Sequence, residues 1–229
     1  MDELLLLMEG INKAFPGVQA LNQARFDLYP GEVHALVGEN GAGKSTLMKI
    51  LAGVYSKDAG RIVYRGKEVE IPNPRAAQDR GISMIHQELN LIPHLTVAQN
   101  VFIGREPRRG LSFLLDDDKI NAQTQALFES MHLRLDPRVK VVVGKWLTAN
   151  TDILIFDEPT RGIDVGAKSE IYHLLNELAR QGKSIIMISS ELPEILRMSH
   201  RIIIMCEGRI TGELTAAEAT QERIMTYVT

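Results

Sequence analysis

Cysteine is almost absent from this sequence: Cys206 stands alone among 229 residues. A lone cysteine cannot close an intramolecular disulfide, which fits a reducing compartment and leaves the fold to its core. Within "RIIIMCEG" it reads as a core thiol, because no catalytic partner lies near it in sequence. Long apolar runs are absent too. None approaches the roughly 18 residues that a membrane-spanning helix needs. The N-terminal "ELLLLM" is too short for the apolar stretch of a signal peptide, and Asp2 and Glu3 stand where positive charge would be expected, so it reads as an edge strand. An excess of positive charge is also missing. The formal charge is −3, which weighs against a nucleic-acid partner. Internal repeats and low-complexity segments are not found. A soluble chain that can dock on a membrane partner is the expectation these absences leave.

What is present is an ordinary globular composition, 45% apolar and 24% charged. The length is ample for one compact core. Short apolar runs alternate with helical patterns, the signature of a parallel α/β sheet. The strands expected in that sheet are "EVHALV" (32–37), "GISMI" (81–85), "DILIF" (152–156), "SIIMIS" (184–189) and "RIIIM" (201–205). Unbroken apolar runs of this kind suit strands covered on both faces. Ile171, Leu174, Leu175 and Leu178 recur at helical spacing after Asp164, and Gly182 follows as a stop. The first 30 residues and "GRIVYRGKEVEI" (60–71) read as strand–turn–strand, which predicts a small antiparallel sheet beside the core. Residues 90–147 are mainly helical in pattern, and "DDDK" (116–119) reads as the N-terminal cap of the helix through "INAQTQALFESM".

Two stretches carry chemistry. "GENGAGKST" runs from Gly38 through Glu39, Asn40, Gly41, Ala42, Gly43, Lys44 and Ser45 to Thr46, and matches G-x-x-x-x-G-K-[ST] in full. It follows a strand and opens a helix, so Gly38, Gly41 and Gly43 let successive backbone N–H groups point inward at phosphate oxygens. The helix N-terminus adds its partial positive charge. Lys44 is placed to reach the β- and γ-phosphates, and the Ser45 hydroxyl to hold Mg²⁺. The second stretch, "ILIFDEPT" (153–160), delivers Asp157 and Glu158 to the carboxyl end of a buried strand, where ligands bind in open α/β sheets. Asp157 is the expected Mg²⁺ partner and Glu158 the expected base for the attacking water. Together they point to a nucleoside triphosphate with Mg²⁺.

"GENGAGKST", "DEPTRGID" and the glutamine of "MIHQELNL" resemble the ATP-binding subunit of an ABC transporter. "KAFPGVQAL", "LTVAQNVFIGREP" and "DEPTRGIDVGAK" resemble, more narrowly, bacterial importers of ribose, galactose and related monosaccharides. The resemblance covers essentially the whole chain, residues 1–229, as one nucleotide-binding domain. It implies a phosphate-loop ATPase fold with a parallel core sheet, a small antiparallel β subdomain and a helical subdomain. It implies ATP and Mg²⁺ as ligands, with Phe15 stacked on adenine, Gln87 contacting Mg²⁺ and the attacking water, and Asp164 communicating across paired nucleotide sites. The implied partners are membrane permease subunits, a second nucleotide-binding domain and, indirectly, a periplasmic sugar-binding protein. The implied location is the cytoplasmic face of the bacterial inner membrane.

The match departs from the family in three places. No "LSGG" signature or variant of it occurs in the chain, although "KVVVGKWL" (140–147) resembles the end of the helix that follows one. Residues 1–140 resemble the front of the first domain of a two-domain sugar-import ATPase, and residues 141–229 the back of its second. An internal deletion joining the two near Lys140 and Val141 is the expectation. Ser190, in "MISSEL", stands where most family members carry a histidine. An ATP-driven importer subunit is therefore the leading function, with a remnant that binds ATP and Mg²⁺ but barely hydrolyses as the alternative. A DNA or ribosome ATPase would need a coiled-coil insertion or basic extension that the sequence lacks. A phosphate-loop kinase leaves "DEPTRGID" unexplained.

Overall fold

The computed structural model of the chain describes residues 3–85, 96–102, 104, 106–108, 115–130, 151–160 and 165–228. It divides into two units, one formed by residues 1–87 and 151–229, the other by residues 88–150. The first unit contains β1 (Leu6–Phe15), β2 (Val18–Leu28), β3 (Val33–Gly38), α1 (Lys44–Leu51), β4 (Ala59–Tyr64), β5 (Lys67–Glu68), α2 (Pro74–Asp79) and β6 (Ile82–Ile85). Within the second unit lie α3 (Val97–Phe102) and α4 (Asp117–Ser130). The chain then returns to the first unit with β7 (Ile153–Asp157), α5 (Val165–Arg180), β8 (Ser184–Ile188), α6 (Leu192–Met198), β9 (Arg201–Cys206), β10 (Arg209–Thr215) and α7 (Gln221–Met225).

Six strands form the core sheet in the order β10-β9-β3-β8-β7-β6. The five strands expected from the sequence pair in parallel, with β10 added antiparallel at one edge. Their apolar runs explain the arrangement. Every residue of β8, and Ile153 through Phe156 of β7, is buried, as a strand covered on both faces requires. The α5 helix ends where expected. Gly182, at φ 85°, turns the chain, and the Lys183 N–H reaches back 3.0 Å to the Leu178 carbonyl. In the second unit the Lys119 N–H donates to Asp116 Oδ1 at 3.2 Å, so "DDDK" does cap α4.

The smaller sheet runs β2-β1-β4-β5, all antiparallel. The turn between β4 and β5 falls at Arg65 and Gly66, with φ of 51° and 72°. One expectation is corrected here. β1, which begins within "ELLLLM", is an interior strand that pairs with β2 on one side and β4 on the other. Leu6, Met8 and Ile11 of β1 are fully buried, so this strand is flanked on both edges and packed on one face. A single apolar cluster, including Phe26 of β2, Leu47 and Met48 of α1, Ile62 of β4 and Ile155 of β7, joins the two sheets around α1.

At the end of the sheet remote from the carboxyl ends, Arg201 pairs with Asp27, Glu32 and Glu213. Beside this network the His34 ring is fully buried, tilted against Phe26 at 4.9 Å between centroids. Its Nδ1 lies 2.8 Å from the Asp27 carbonyl, which can only accept, so Nδ1 carries the proton and Nε2 is left with no partner. Burial, reinforced by the Arg201 charge and opposed by Asp27, lowers the His34 pKa from 6.5 to about 4. The folded state thus binds the proton less readily than the unfolded chain, so stability present above pH 6.5 is lost as pH falls toward 4. The two pKa values make this loss on the order of 2–3 kcal/mol at about pH 4.5. Glu32, raised by burial, acts in the opposite sense. Urea melts at pH 7 and 4.5 should therefore show a smaller pH difference in His34→Asn than in the wild type, because Asn keeps the amide donor and drops the titration. Equal differences would show that His34 does not set the acid limb.

Candidate functional site

The turn from β3 into α1 is shaped by glycine where a side chain does not fit. Gly43 adopts φ 102° as the N-cap of α1, and a Cβ there would lie 2.6 Å from the Ala20 carbonyl oxygen. The loop is fastened from below. The Gly208 N–H donates to the Ala42 carbonyl at 3.0 Å, and the Asn22 N–H to the Gly208 carbonyl at 2.9 Å. β2 and the β9–β10 turn thereby fix the loop's height above the sheet. The N–H groups of Lys44, Ser45 and Thr46 open α1, where a helix leaves its first donors without internal partners. Donors of this kind are aimed at anions.

Lys44 is 9% exposed, and its Nζ donates to the Gly38 and Glu39 carbonyls at 2.7 and 2.9 Å. Burial pulls its pKa down, and the carboxylates of Glu158 and Asp157 push it back up. The cation is thus held against the loop's own oxygens and faces two carboxylates across the site. Ser45 Oγ lies 3.4 Å from Asp157 Oδ1, bringing the hydroxyl of α1 to the end of β7.

One cavity of about 230 Å³ gathers most of the residues singled out in the sequence. Its wall includes Asn40, Gly41, Gly43, Lys44, Ser45 and Thr46 of the loop together with Asp157 and Glu158. Gly38 and Glu39 serve instead as the carbonyl partners of Lys44, and Ala42 accepts from Gly208. Phe15 is half-buried at the end of β1, its ring edge-on to Tyr55 with centroids 5.3 Å apart, and does not line this cavity. Val18, Ala20 and Ile188 complete the wall; Val18 and Ala20 fall within "KAFPGVQAL", but nothing in that stretch points to them as cavity residues. Gln87 and Asp164 lie outside the described residues, as does the 140–147 segment.

Glu158 differs from its neighbour in backbone as well as role. Its φ is 54°, the left-handed region that a non-glycine residue enters at a cost of about 1–3 kcal/mol. Its N–H donates to the Ile188 carbonyl at 2.8 Å, and Oε2 accepts from the N–H and Oγ of Ser190 at 3.2 and 3.0 Å. Sequence reading marked Ser190 only as a departure from a histidine. The structure shows that it touches the carboxylate.

A glycine loop opening a helix, a confined lysine, a hydroxyl and two carboxylates on one cavity suit a nucleoside triphosphate. Comparisons with known proteins agree. The family model described as "ABC transporter" matches residues 21–161, more than half of the chain. The chain is 46% identical over 235 residues to the putative ribose/galactose/methyl galactoside import ATP-binding protein 2 of Burkholderia cenocepacia (strain HI2424), covering 98% of this chain and 46% of that protein. It is 43% identical over 235 residues to the corresponding putative protein of Albidiferax ferrireducens, covering 98% and 47%. The chain thus spans about half the length of the curated relatives it matches. Among solved structures, it superposes with a TM-score of 0.82 on a nucleotide-free ATP-binding cassette from an ABC transporter, at 23% identity over 99% of this chain and 95% of that one. A structure of the ADP conformation of an ATP-binding cassette of an ABC transporter superposes with a TM-score of 0.79, at 23% identity over 99% of this chain and 95% of that one. By the family match and these identities, the chain belongs to the ABC transporter family.

Proposed function

We propose that this chain binds ATP with Mg²⁺ and hydrolyses it as the energy-coupling subunit of a bacterial importer for a simple sugar. The observation that carries this reading is the meeting of Lys44, Ser45, Asp157 and Glu158 on one small cavity at the carboxyl end of the core sheet. The loop N–H groups and Lys44 hold the phosphates. Glu158 takes a proton from the attacking water, a role that requires hydrogen-bond reach of it. Ser45 and Asp157 suit Mg²⁺, since both are hard oxygen donors and they lie side by side. No cluster of three or more potential metal-ligating carboxylates, histidines or cysteines occurs among the described residues, so a small cation here would draw its remaining ligands from phosphate and water. When bound, Mg²⁺ neutralises charge on the phosphate oxygens.

Gln87, Asp164 and Phe15 are assigned their roles by resemblance alone. So are the partners: permease subunits, a paired nucleotide-binding domain and, beyond the membrane, a sugar-binding protein. No described helix is long and apolar enough to cross a membrane. Peripheral attachment to the cytoplasmic face of the inner membrane is the placement the reading requires. The absence of "LSGG" from the sequence favours one second reading, binding with little or no turnover, because the expected helix N-terminus that completes the site on the γ-phosphate is then lacking.

Steady-state ATP hydrolysis and equilibrium ATP binding, measured on one preparation with Lys44→Ala beside it, test both. Mg²⁺-dependent turnover that disappears in Lys44→Ala is the expected result. Lys44-dependent binding without turnover would establish the second reading, and binding indifferent to Lys44 would overturn both.

A further inference from the structure

We infer that Ser190, backed by the buried Ser189–Glu194 pair, is a positioning residue that aims the Glu158 carboxylate. This rests on the hydrolytic reading of the site. The problem it solves is visible in the backbone. Glu158 sits at φ 54° immediately after β7, in a conformation the chain does not adopt unaided. Something must hold both its backbone and its side chain. The backbone is held by β8, through the Ile188 carbonyl. The side chain is held two residues further on, where the Ser190 N–H and Oγ converge on Oε2. With one oxygen occupied in this way, Oε1 is the oxygen left to take a proton from water.

A brace is only as firm as what stands behind it, and Ser190 is itself exposed. Its neighbour Ser189 is 1% exposed, donates to Glu194 Oε2 at 2.5 Å and accepts from the Glu191 N–H at 3.1 Å. These bonds fix the turn between β8 and α6. Glu194 is 3% exposed, and its Oε1 has no partner. A buried carboxyl satisfied on one oxygen only is poorly explained by stability, since hydrocarbon of the same size would avoid the desolvation. It is explained by the turn it holds. Burial raises the Glu194 pKa, while the Ser189 hydroxyl bonded to Oε2 favours the anion. The position where the family resemblance implies a histidine thus has a different use in this chain.

The test is steady-state kinetics of wild type, Lys44→Ala, Ser190→Ala, Ser190→Thr and Ser189→Ala, with equilibrium binding of a fluorescent ATP analogue to each. Ser190→Ala is expected to lower kcat about tenfold, the usual size for losing a hydrogen bond to a charged group. KM and analogue affinity should stay within about twofold, since the Ser190 hydroxyl is bonded to the base and not to the phosphate cradle. Ser190→Thr, which keeps the hydroxyl, should recover most of kcat. Ser189→Ala should lower kcat in the same direction, and the double variant should be no slower than Ser190→Ala alone. An unchanged kcat in Ser190→Ala, a matching loss of ATP affinity, or no recovery in Ser190→Thr would overturn the inference and leave the hydrolytic reading intact. A wild type no faster than Lys44→Ala would overturn the hydrolytic reading, and this inference with it.

Discussion

Glu158→Gln should reduce ATP turnover by roughly 10²–10⁴-fold, the range for removal of a general base, with ATP affinity essentially unchanged. Glutamine keeps the size of the side chain and an oxygen that can accept from Ser190, so the loop after β7 is not disturbed. What it loses is the ability to take a proton at the oxygen facing away from Ser190. On the proposed function the nucleotide is gripped elsewhere, by the loop N–H groups and Lys44, so the loss should fall on kcat and not on binding. Single-turnover hydrolysis with the variant in excess checks this directly, because it separates chemistry from product release. A variant that hydrolyses as fast as the wild type would move the base elsewhere in the site. One that fails to bind ATP would show that Glu158 supports the cradle.

Gly43→Ala should be as damaging to binding as Glu158→Gln is to turnover, for a steric reason. The added methyl would meet the Ala20 carbonyl oxygen at 2.6 Å and Leu21 Cδ2 at 2.9 Å, at a φ of 102° that alanine resists. Strain and overpacking together come to roughly 2–5 kcal/mol, taken up by the loop or by the whole fold. Gly41→Ala is the matched control. At φ 88° it has the same conformational demand but nothing within 4 Å of the new Cβ, so only about 1–2 kcal/mol of strain is expected. Urea melts together with ATP titrations should rank Gly41→Ala well above Gly43→Ala in both stability and affinity. Equal behaviour of the two would mean that contact with β2 does not set the shape of the loop.

The parts of this molecule that could be read from sequence are those in which a short segment declares its own environment. "DILIF" and "SIIMIS" are apolar at every position, which means cover on both faces, and the sheet buries them as interior strands. "GENGAGKST" declares a glycine turn that opens a helix, and the structure places that turn between β3 and α1. Legibility fails where the answer depends on a distant partner. Whether β1 is an edge or an interior strand is decided by β4, some fifty residues away, and nothing inside "ELLLLM" records that pairing. β10 went unanticipated because its alternating, half-exposed residues give a weak signal beside the apolar β9 it pairs with. Ser190 was visible as a serine in place of a histidine, but its contact with Glu158 spans two loops that only the β7–β8 pairing brings together. Val18 and Ala20 reach the cavity by the path of β2 alone.

The partners of β3 carry a consequence for how the protein is made. The strand that feeds the phosphate loop pairs with β8 and β9 and with no strand near it in sequence. On a ribosome, Val33–Gly38 is therefore finished long before Ser184 and Arg201 exist to receive its hydrogen bonds. At about 5–20 residues per second the wait is roughly 10–30 s. Throughout it an apolar strand bears two open edges, the condition that invites pairing with other nascent chains. Yield in the cell should then follow synthesis rate and chaperone supply more closely than it follows the equilibrium stability of the finished domain.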